Sequence, residues 1–361
     1  MAQTLFDDWV WKKLKNTTRT SYNYMGKKNT EHFKKFKDIC RLTQMELKAY
    51  LEDVLATYYE EVYSDDGFLY VKGTNSNVLL TAHMDTVHEP AGRICTDIYE
   101  YHDKKNKKHI LSSPQGIGGD DRCGIYTILK VLERTEFRPY IIFCEDEEIG
   151  GVGSKKFCKT TLVDEVGKEV NFMIEIDRAH ANDAVFYEET NAKFQRFVTD
   201  TTGTEEAFGS FSDICNLSEE TMVSSFNISC GYYNAHTTDE YVVMEELEDC
   251  IGKVIKLIEA DKKDEQRFEY EPDTFYRSGN GYNYGYGYYG YGYGNSKNST
   301  ECEVEFTWYD KKTGNEESDI TYGTSLEECI GQFLLLHSDL CWNDVIDYDE
   351  YEFGSKKYKY F

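Results

Sequence analysis

The stretch Val78–Val87, V-L-L-T-A-H-M-D-T-V, constrains this chain more than any other. Apolar and β-branched residues lead into His83, and Asp85 follows two positions later. Side chains alternate faces along a strand, so His83 and Asp85 point the same way where the strand ends. A metal-bound histidine usually hands its second ring N–H to a carboxylate, which fixes its tautomer and orientation. His-x-Asp at a strand terminus supplies that pair locally, although a buried structural histidine would use the same triplet. The residues downstream have to decide between the two.

Four more clusters follow in order, each where a predicted strand ends or a helix begins. G-I-G-G-D-D-R-C-G spans Gly116–Gly124, with Asp120 and Asp121 at a helix start, where exposed N–H groups favour carboxylates. C-E-D-E-E-I-G-G-V-G-S places Glu147 and Glu148 after the apolar run Tyr140–Cys144. I-E-I-D ends on Asp177, and H-T-T-D-E-Y-V begins at His236. Each cluster alone has a plain reading as an N-cap, a solvated acidic loop or a strand end. Ligands of open α/β sheets sit outside the carboxyl ends of the strands, and there the chain delivers His, Asp, Glu, Asp and His. Imidazole and carboxylate suit zinc, manganese or cobalt, and five ligands serve two ions if one carboxylate bridges them.

Periodicity places these clusters in an α/β fold. Leu42–Tyr59 reads as an amphipathic helix with Thr43 as N-cap and Leu47, Leu51, Val54, Leu55 and Tyr58 on one stripe. Cys123–Arg134 and Glu245–Lys262 carry the same spacing, and Ser154–Thr161 and Ser210–Leu217 suggest shorter helices. Phe68–Lys72, Val78–Ala82, Tyr140–Cys144, Asn171–Ile176 and Met222–Cys230 read as strands, with a hairpin turn near Lys104–Lys108. Ala184–Tyr187 and Phe194–Thr199 suggest an antiparallel edge. The expected architecture is a mixed, mostly parallel sheet with helices on both faces. A catalytic domain over 42–272 would follow an N-terminal extension, 1–41.

Beyond Asp273 the composition changes. Gly279–Gly294 is almost entirely Gly, Tyr and Asn, a linker composition, within a boundary segment 273–299. Residues 300–361 then suggest a small α+β module: strands at Glu301–Tyr309, Asp319–Tyr322 and Val345–Phe353, and a helix at Leu326–His337. Its acidic, aromatic character would suit a protein partner or self-association.

A formal charge of −26 argues against a nucleic-acid phosphate-binding role. No run of 18 apolar residues and no signal peptide is found, so a membrane is not expected as partner. Eleven cysteines without a C-x-x-C pair suggest reduced thiols and a cytoplasmic setting.

The ordered motifs H-M-D-T-V, G-G-D-D-R-C-G, E-E-I-G-G-V-G-S, the Asp of I-E-I-D and A-H-T-T-D-E-Y resemble those of the co-catalytic metallo-exopeptidases. That group includes peptidase T, the leucyl and glutamyl aminopeptidases and related amidohydrolases. The resemblance runs from about Leu42 to Lys262. It implies that His83 and Asp177 hold one metal ion, that Glu148 and His236 hold the other, and that Asp120 bridges both. Asp85 would orient His83, and Glu147 would be the general base. Two divalent ions, zinc before manganese or cobalt, would serve hydrolysis of a small peptide or an N-acyl substrate.

An aminopeptidase is the leading expectation, with a deacylase or carboxypeptidase-like amidohydrolase as the alternative and a non-catalytic binding protein third. The chain departs from the group in two places. Only 37 residues separate His83 from Asp120, too few for the domain that tetrahedral aminopeptidases insert there. Only 59 separate Asp177 from His236, too few for the lid and dimerisation domain of peptidase T.

Overall fold

The computed structural model describes residues 31–272, apart from Pro90, Ala91, Ile94, Ser210 and Glu265, together with three strands between residues 302 and 352. The chain divides into two compact units, Met1–Arg277 and Ser278–Phe361.

The first unit is built on an eight-stranded sheet. Its strands are β1 (Tyr63–Asp65), β2 (Phe68–Val71), β3 (Val78–His83), β6 (Tyr140–Cys144), β7 (Phe172–Arg178), β8 (Asp183–Val185), β9 (Glu205–Ala207) and β10 (Ser225–Ser229). The order is β1-β2-β6-β3-β7-β10-β8-β9. The middle strands β6, β3, β7 and β10 run parallel, and β2 and β8 flank them antiparallel. All six residues of β3 and all five of β6 are buried, which explains their unbroken apolar runs.

Alternation along these strands feeds two separate cores. Leu80, Ile141, Phe143 and Ile174 pack on one side with helices Gln44–Leu55, Gly119–Arg134 and Met244–Asp264. Leu79, Ile142, Cys144 and Met173 face the other side, with helices Val152–Phe157, Leu162–Glu169 and Asp213–Thr221. Each such side chain contributes about 1.5–3 kcal/mol when fully buried. Because four adjacent strands are parallel, their carboxyl ends open on one edge, and His83 and Asp177 lie there on neighbouring strands.

A second sheet of four strands has the order β11-β12-β5-β4. It comprises β4 (Tyr99–Asp103), β5 (Lys108–Ser112), β11 (Tyr232–Tyr233) and β12 (Tyr241–Val243). The expected hairpin at Lys104–Lys108 is therefore present, and it pairs with the segment that follows His236.

Local signals explain several boundaries. Thr43 caps its helix with a capping box: its hydroxyl accepts from Glu46 N–H, and Glu46 accepts from the Thr43 N–H at 3.0 Å. Helix Lys34–Cys40, placed by the sequence reading in an N-terminal extension, contributes Phe36 and Ile39 to the larger core.

The expected strand at Phe194–Thr199 is instead part of helix Ala192–Thr202. Asn191 caps it, accepting from the Lys193 and Phe194 N–H groups, and Phe194, Val198 and Thr202 are buried at four-residue spacing. The β-branched content of that stretch obscured a helical period. Helix Leu162–Glu169 was also not anticipated.

In the second unit, β13 (Cys302–Tyr309), β14 (Glu316–Gly323) and β15 (Val345–Glu352) form an antiparallel sheet in the order β14-β13-β15. The expected helix at Leu326–His337 and the Gly/Tyr tract lie outside the described residues. Among the described residues no helix is long and apolar enough to cross a membrane, and eight cysteines are free thiols.

Helix Gly119–Arg134 approaches β7 so closely that a Cβ on Gly124 would lie 2.2 Å from the Ile176 carbonyl oxygen and 2.6 Å from both Asp121 carboxylate oxygens. Gly124→Ala is expected to destabilise the fold by about 1–3 kcal/mol through overpacking. A denaturation midpoint equal to that of the parent would contradict this packing.

Candidate metal centre

His83 ends β3, and its ring bridges two carboxylates. Nδ1 lies 3.1 Å from Asp85 Oδ1, and Nε2 lies 2.9 Å from Asp120 Oδ1. Asp177, at the end of the adjacent parallel strand, places Oδ1 3.6 Å from the same Nε2. On the other side of Asp120, His236 Nε2 is 3.2 Å from Oδ2 and 3.1 Å from Glu148 Oε2. Asp120 therefore touches both imidazoles, one with each oxygen. The five residues singled out as ligands come together in one place, with Asp85 beside His83.

The surrounding backbone explains why they meet. Asp85 accepts the Glu147 N–H on Oδ1 and the Glu148 N–H on Oδ2, each at 3.0 Å. One carboxylate thus orients the imidazole and fixes the turn after β6 that carries both glutamates. The first turn of helix Gly119–Arg134 is distorted at Asp120 and Asp121, and the peptide between them is cis. Asp121 turns inward, accepting from the His83 N–H at 3.2 Å and the Gly124 N–H at 2.9 Å. His236 sits in a loop at φ 65°, and its side chain is half-exposed, unlike the two carboxylates it faces.

Several further residues support the site and were not singled out from sequence. Glu240 is fully buried and accepts from the Gly118 and Asp120 N–H groups at 2.9 and 3.0 Å, with His88 Nε2 3.1 Å away. It lies inside the H-T-T-D-E-Y motif, so its position in the motif was the available signal. Arg122 is buried and donates to the carbonyls of Met84, Asp85 and Leu42 at 2.6, 3.3 and 3.1 Å. Ser212 donates to Asp177 Oδ2 at 3.1 Å, and the buried Asp213 accepts from Ser154 at 2.5 Å. Glu175, also buried, accepts from the Ile214 N–H.

Electrostatics here are dominated by crowded carboxylates. Burial, and then the charge of Asp120, pushes Asp177 well above the usual carboxylate range. Burial and the charge of Asp177 do the same to Asp121. Asp120 moves the other way: burial opposes its charge, but hydrogen bonds from His236 and His83 hold it low. Hydrogen bonds to Asp120 and Glu148 push His236 up to about 11. Glu147 is pushed up to about 8, first by burial, then by Asp213, Glu175 and Glu148, against the charge of His83.

This donor set fits divalent metal. Ligand atoms of His83, Asp120 and Glu148 lie within 4.8 Å of one another, and so do those of His83, Asp121 and Asp177. Glu148 Oε1 is buried without a hydrogen-bond partner, an acceptor that a cation would satisfy. Imidazole with carboxylate is a zinc-class set, and a bound cation would offset the repulsion among the carboxylates.

No family model matches the sequence, and no curated protein does. Among solved structures the chain is similar to the aminopeptidase PepT from Bacillus cereus, at 14% identity over 63% of this chain and 97% of that one, with a TM-score of 0.48. A tripeptidase from Staphylococcus aureus gives the same identity, coverage and score: 14%, 63%, 97% and 0.48. The Pyrococcus horikoshii TET1 peptidase is 12% identical over 63% of this chain and 98% of its own, with a TM-score of 0.45. At this level the likeness is one of general build, and no residue role is taken from it.

Glu240 holds the backbone on both sides of Gly119 with its two oxygens, so an amide there turns an NH2 towards an N–H donor. Glu240→Gln is expected to weaken metal affinity about 10–100-fold, as loss of an outer carboxylate usually does. Titration with zinc giving the parent affinity would remove Glu240 from the support of the site.

Proposed function

We propose that this chain is a metal-dependent exopeptidase, and an aminopeptidase in particular. The observation that carries the proposal is Asp120: its two oxygens face two imidazoles, with Asp177 and Glu148 completing the two sides. In this reading His83, Asp120 and Asp177 hold one ion, and Asp120, Glu148 and His236 hold the other. Two divalent ions there would polarise a scissile carbonyl and acidify a coordinated water.

The chain's own groups do the rest. Glu147 takes the proton of the attacking water on its carboxylate and later passes it to the leaving amine, work worth about 10²–10⁴-fold. Burial and neighbouring carboxylates raise its carboxyl above the usual range, which favours holding a proton, and cations nearby would lower it again. Asp85 keeps the base in place through the Glu147 N–H, and holds His83 with Nε2 towards Asp120. His236, half-exposed, leaves its side of the site open to solvent, from which a substrate could approach.

Acidic surroundings suit a free ammonium group, which favours an aminopeptidase. Ile149, 70% exposed directly after Glu148, and the partly exposed Phe211, next to Ser212, offer apolar contact for a substrate side chain.

Neighbouring glutamates should separate by phenotype. Glu147→Gln is expected to keep its metal and lose about 10²–10⁴ in kcat. Glu148→Gln is expected to lose metal, because a neutral amide is a poor ligand. Elemental analysis showing the reverse would exchange the two roles.

The substrate class is tested with zinc-, manganese- or cobalt-loaded protein on aminoacyl-p-nitroanilides, short peptides and N-acyl amino acids. Hydrolysis of the first two is expected. Turnover of N-acyl amino acids alone would identify a deacylase, and no turnover of any of them would leave a binding protein.

A further inference from the structure

A second group of imidazoles lies on the smaller sheet and shares no residue with the candidate active site. His102 and His109 face each other across β4 and β5, with rings stacked 4.2 Å apart and 4° from parallel. His32, just ahead of helix Lys34–Cys40, brings its ring to 5.0 Å from that of His109, edge-on at 73°. Its Nδ1 is 2.7 Å from Glu100 Oε1 in β4. Ligand atoms of His32, Glu100 and His109 lie within 4.8 Å of one another.

A separate observation comes from helix Met244–Asp264. Glu245 accepts from the His109 backbone N–H at 2.7 Å and faces ring Nδ1 at 2.6 Å. That leaves Nε2 as the nitrogen of His109 available to a metal, and a carboxylate behind an imidazole is the usual outer support of a metal-bound histidine. Lys37 Nζ, 2.9 Å from Glu100 Oε2, neutralises one oxygen of Glu100 and leaves Oε1 towards His32. An ordinary ion pair accounts for His32 with Glu100. It does not account for a second imidazole brought to the same point and clamped from behind.

We propose that His32, Glu100 and His109 form a zinc-class transition-metal site that fastens the segment before helix Lys34–Cys40 to the β4–β5 hairpin. Two imidazoles and a carboxylate are a three-ligand zinc set, and His32, 50% exposed, leaves room for water as the fourth ligand. Such an ion would bridge residues 68 and 77 positions apart from His32, with Glu245 holding the hairpin's share of the site against the last long helix.

The test is zinc content of the full-length protein, measured by elemental analysis after equilibration at fixed free zinc, for the parent chain and for His32→Ala, His109→Ala and Glu245→Gln. Both histidine variants are expected to hold one zinc fewer per chain than the parent while His32→Ala hydrolyses peptides at the parent rate. Glu245→Gln is expected to bind that zinc about 10–100-fold more weakly. If His109→Ala does not fold, His32→Ala decides alone, because its half-exposed side chain is expendable to the core. Equal zinc content in the parent and His32→Ala would overturn the site. Loss of zinc together with loss of hydrolysis in His32→Ala would overturn it too, by assigning the missing ion to the other centre.

Discussion

The structure depends on how negative charge is buried at one edge of its main sheet. Asp120, Asp121, Glu148 and Asp177 converge there with only two imidazoles, and Glu175, Asp213 and Glu240 lie fully buried behind them. Taking an ionised carboxylate out of water costs several kcal/mol even after relaxation, about as much as one or two well-buried apolar side chains return. The nearby guanidinium does not settle the account, because Arg122 donates to backbone carbonyls. Backbone N–H groups reach Asp121, one oxygen of Glu175 and both oxygens of Glu240, and Ser212 reaches Asp177. Glu148 Oε1, Glu175 Oε1 and Asp213 Oδ2 keep no hydrogen-bond partner, and among the proposed ligands Glu148 Oε1 is the acceptor left for a cation. Metal is thus proposed as part of the fold's stability as well as its chemistry.

Topology is what concentrates the charge. Three consecutive positions in the sheet, β6, β3 and β7, run parallel, so the residues that follow or end them emerge side by side. Asp85 then ties two of those ends together, accepting from the Glu147 and Glu148 N–H groups while it faces His83. A proposed metal ligand, a proposed base and a second ligand consequently move as one unit. The close approach of Gly124 to Ile176 fixes the remaining contributor, the start of the helix that carries Asp120.

Much of this was legible in the chain. Unbroken apolar runs marked β3, β6 and β7 because strands covered on both faces have no polar side, and Thr43 marked a helix start. The proposed ligand residues were visible because each falls at the boundary of an element, and because five such boundaries carry His, Asp, Glu, Asp and His in order. What stayed hidden depends on contacts distant in sequence. Glu240 acts on backbone 120 residues away, and Arg122 reaches the Leu42 carbonyl 80 residues away. His32 and His109 are unremarkable until β4 and β5 pair. Helix Ala192–Thr202 was misread as a strand because its Phe, Val and Thr content favours strands, whereas its Asn191 cap and four-residue spacing decide the outcome.

The central claim is that Asp120 is shared by two ions. Anomalous diffraction from crystals of the zinc-loaded protein, collected at the zinc absorption edge, tests it most directly. The account predicts two peaks about 3.5–4 Å apart, one beside His83 and Asp177 and one beside Glu148 and His236, with an Asp120 oxygen in reach of each. A single peak away from Asp120, or none among these residues at saturating zinc, would contradict it.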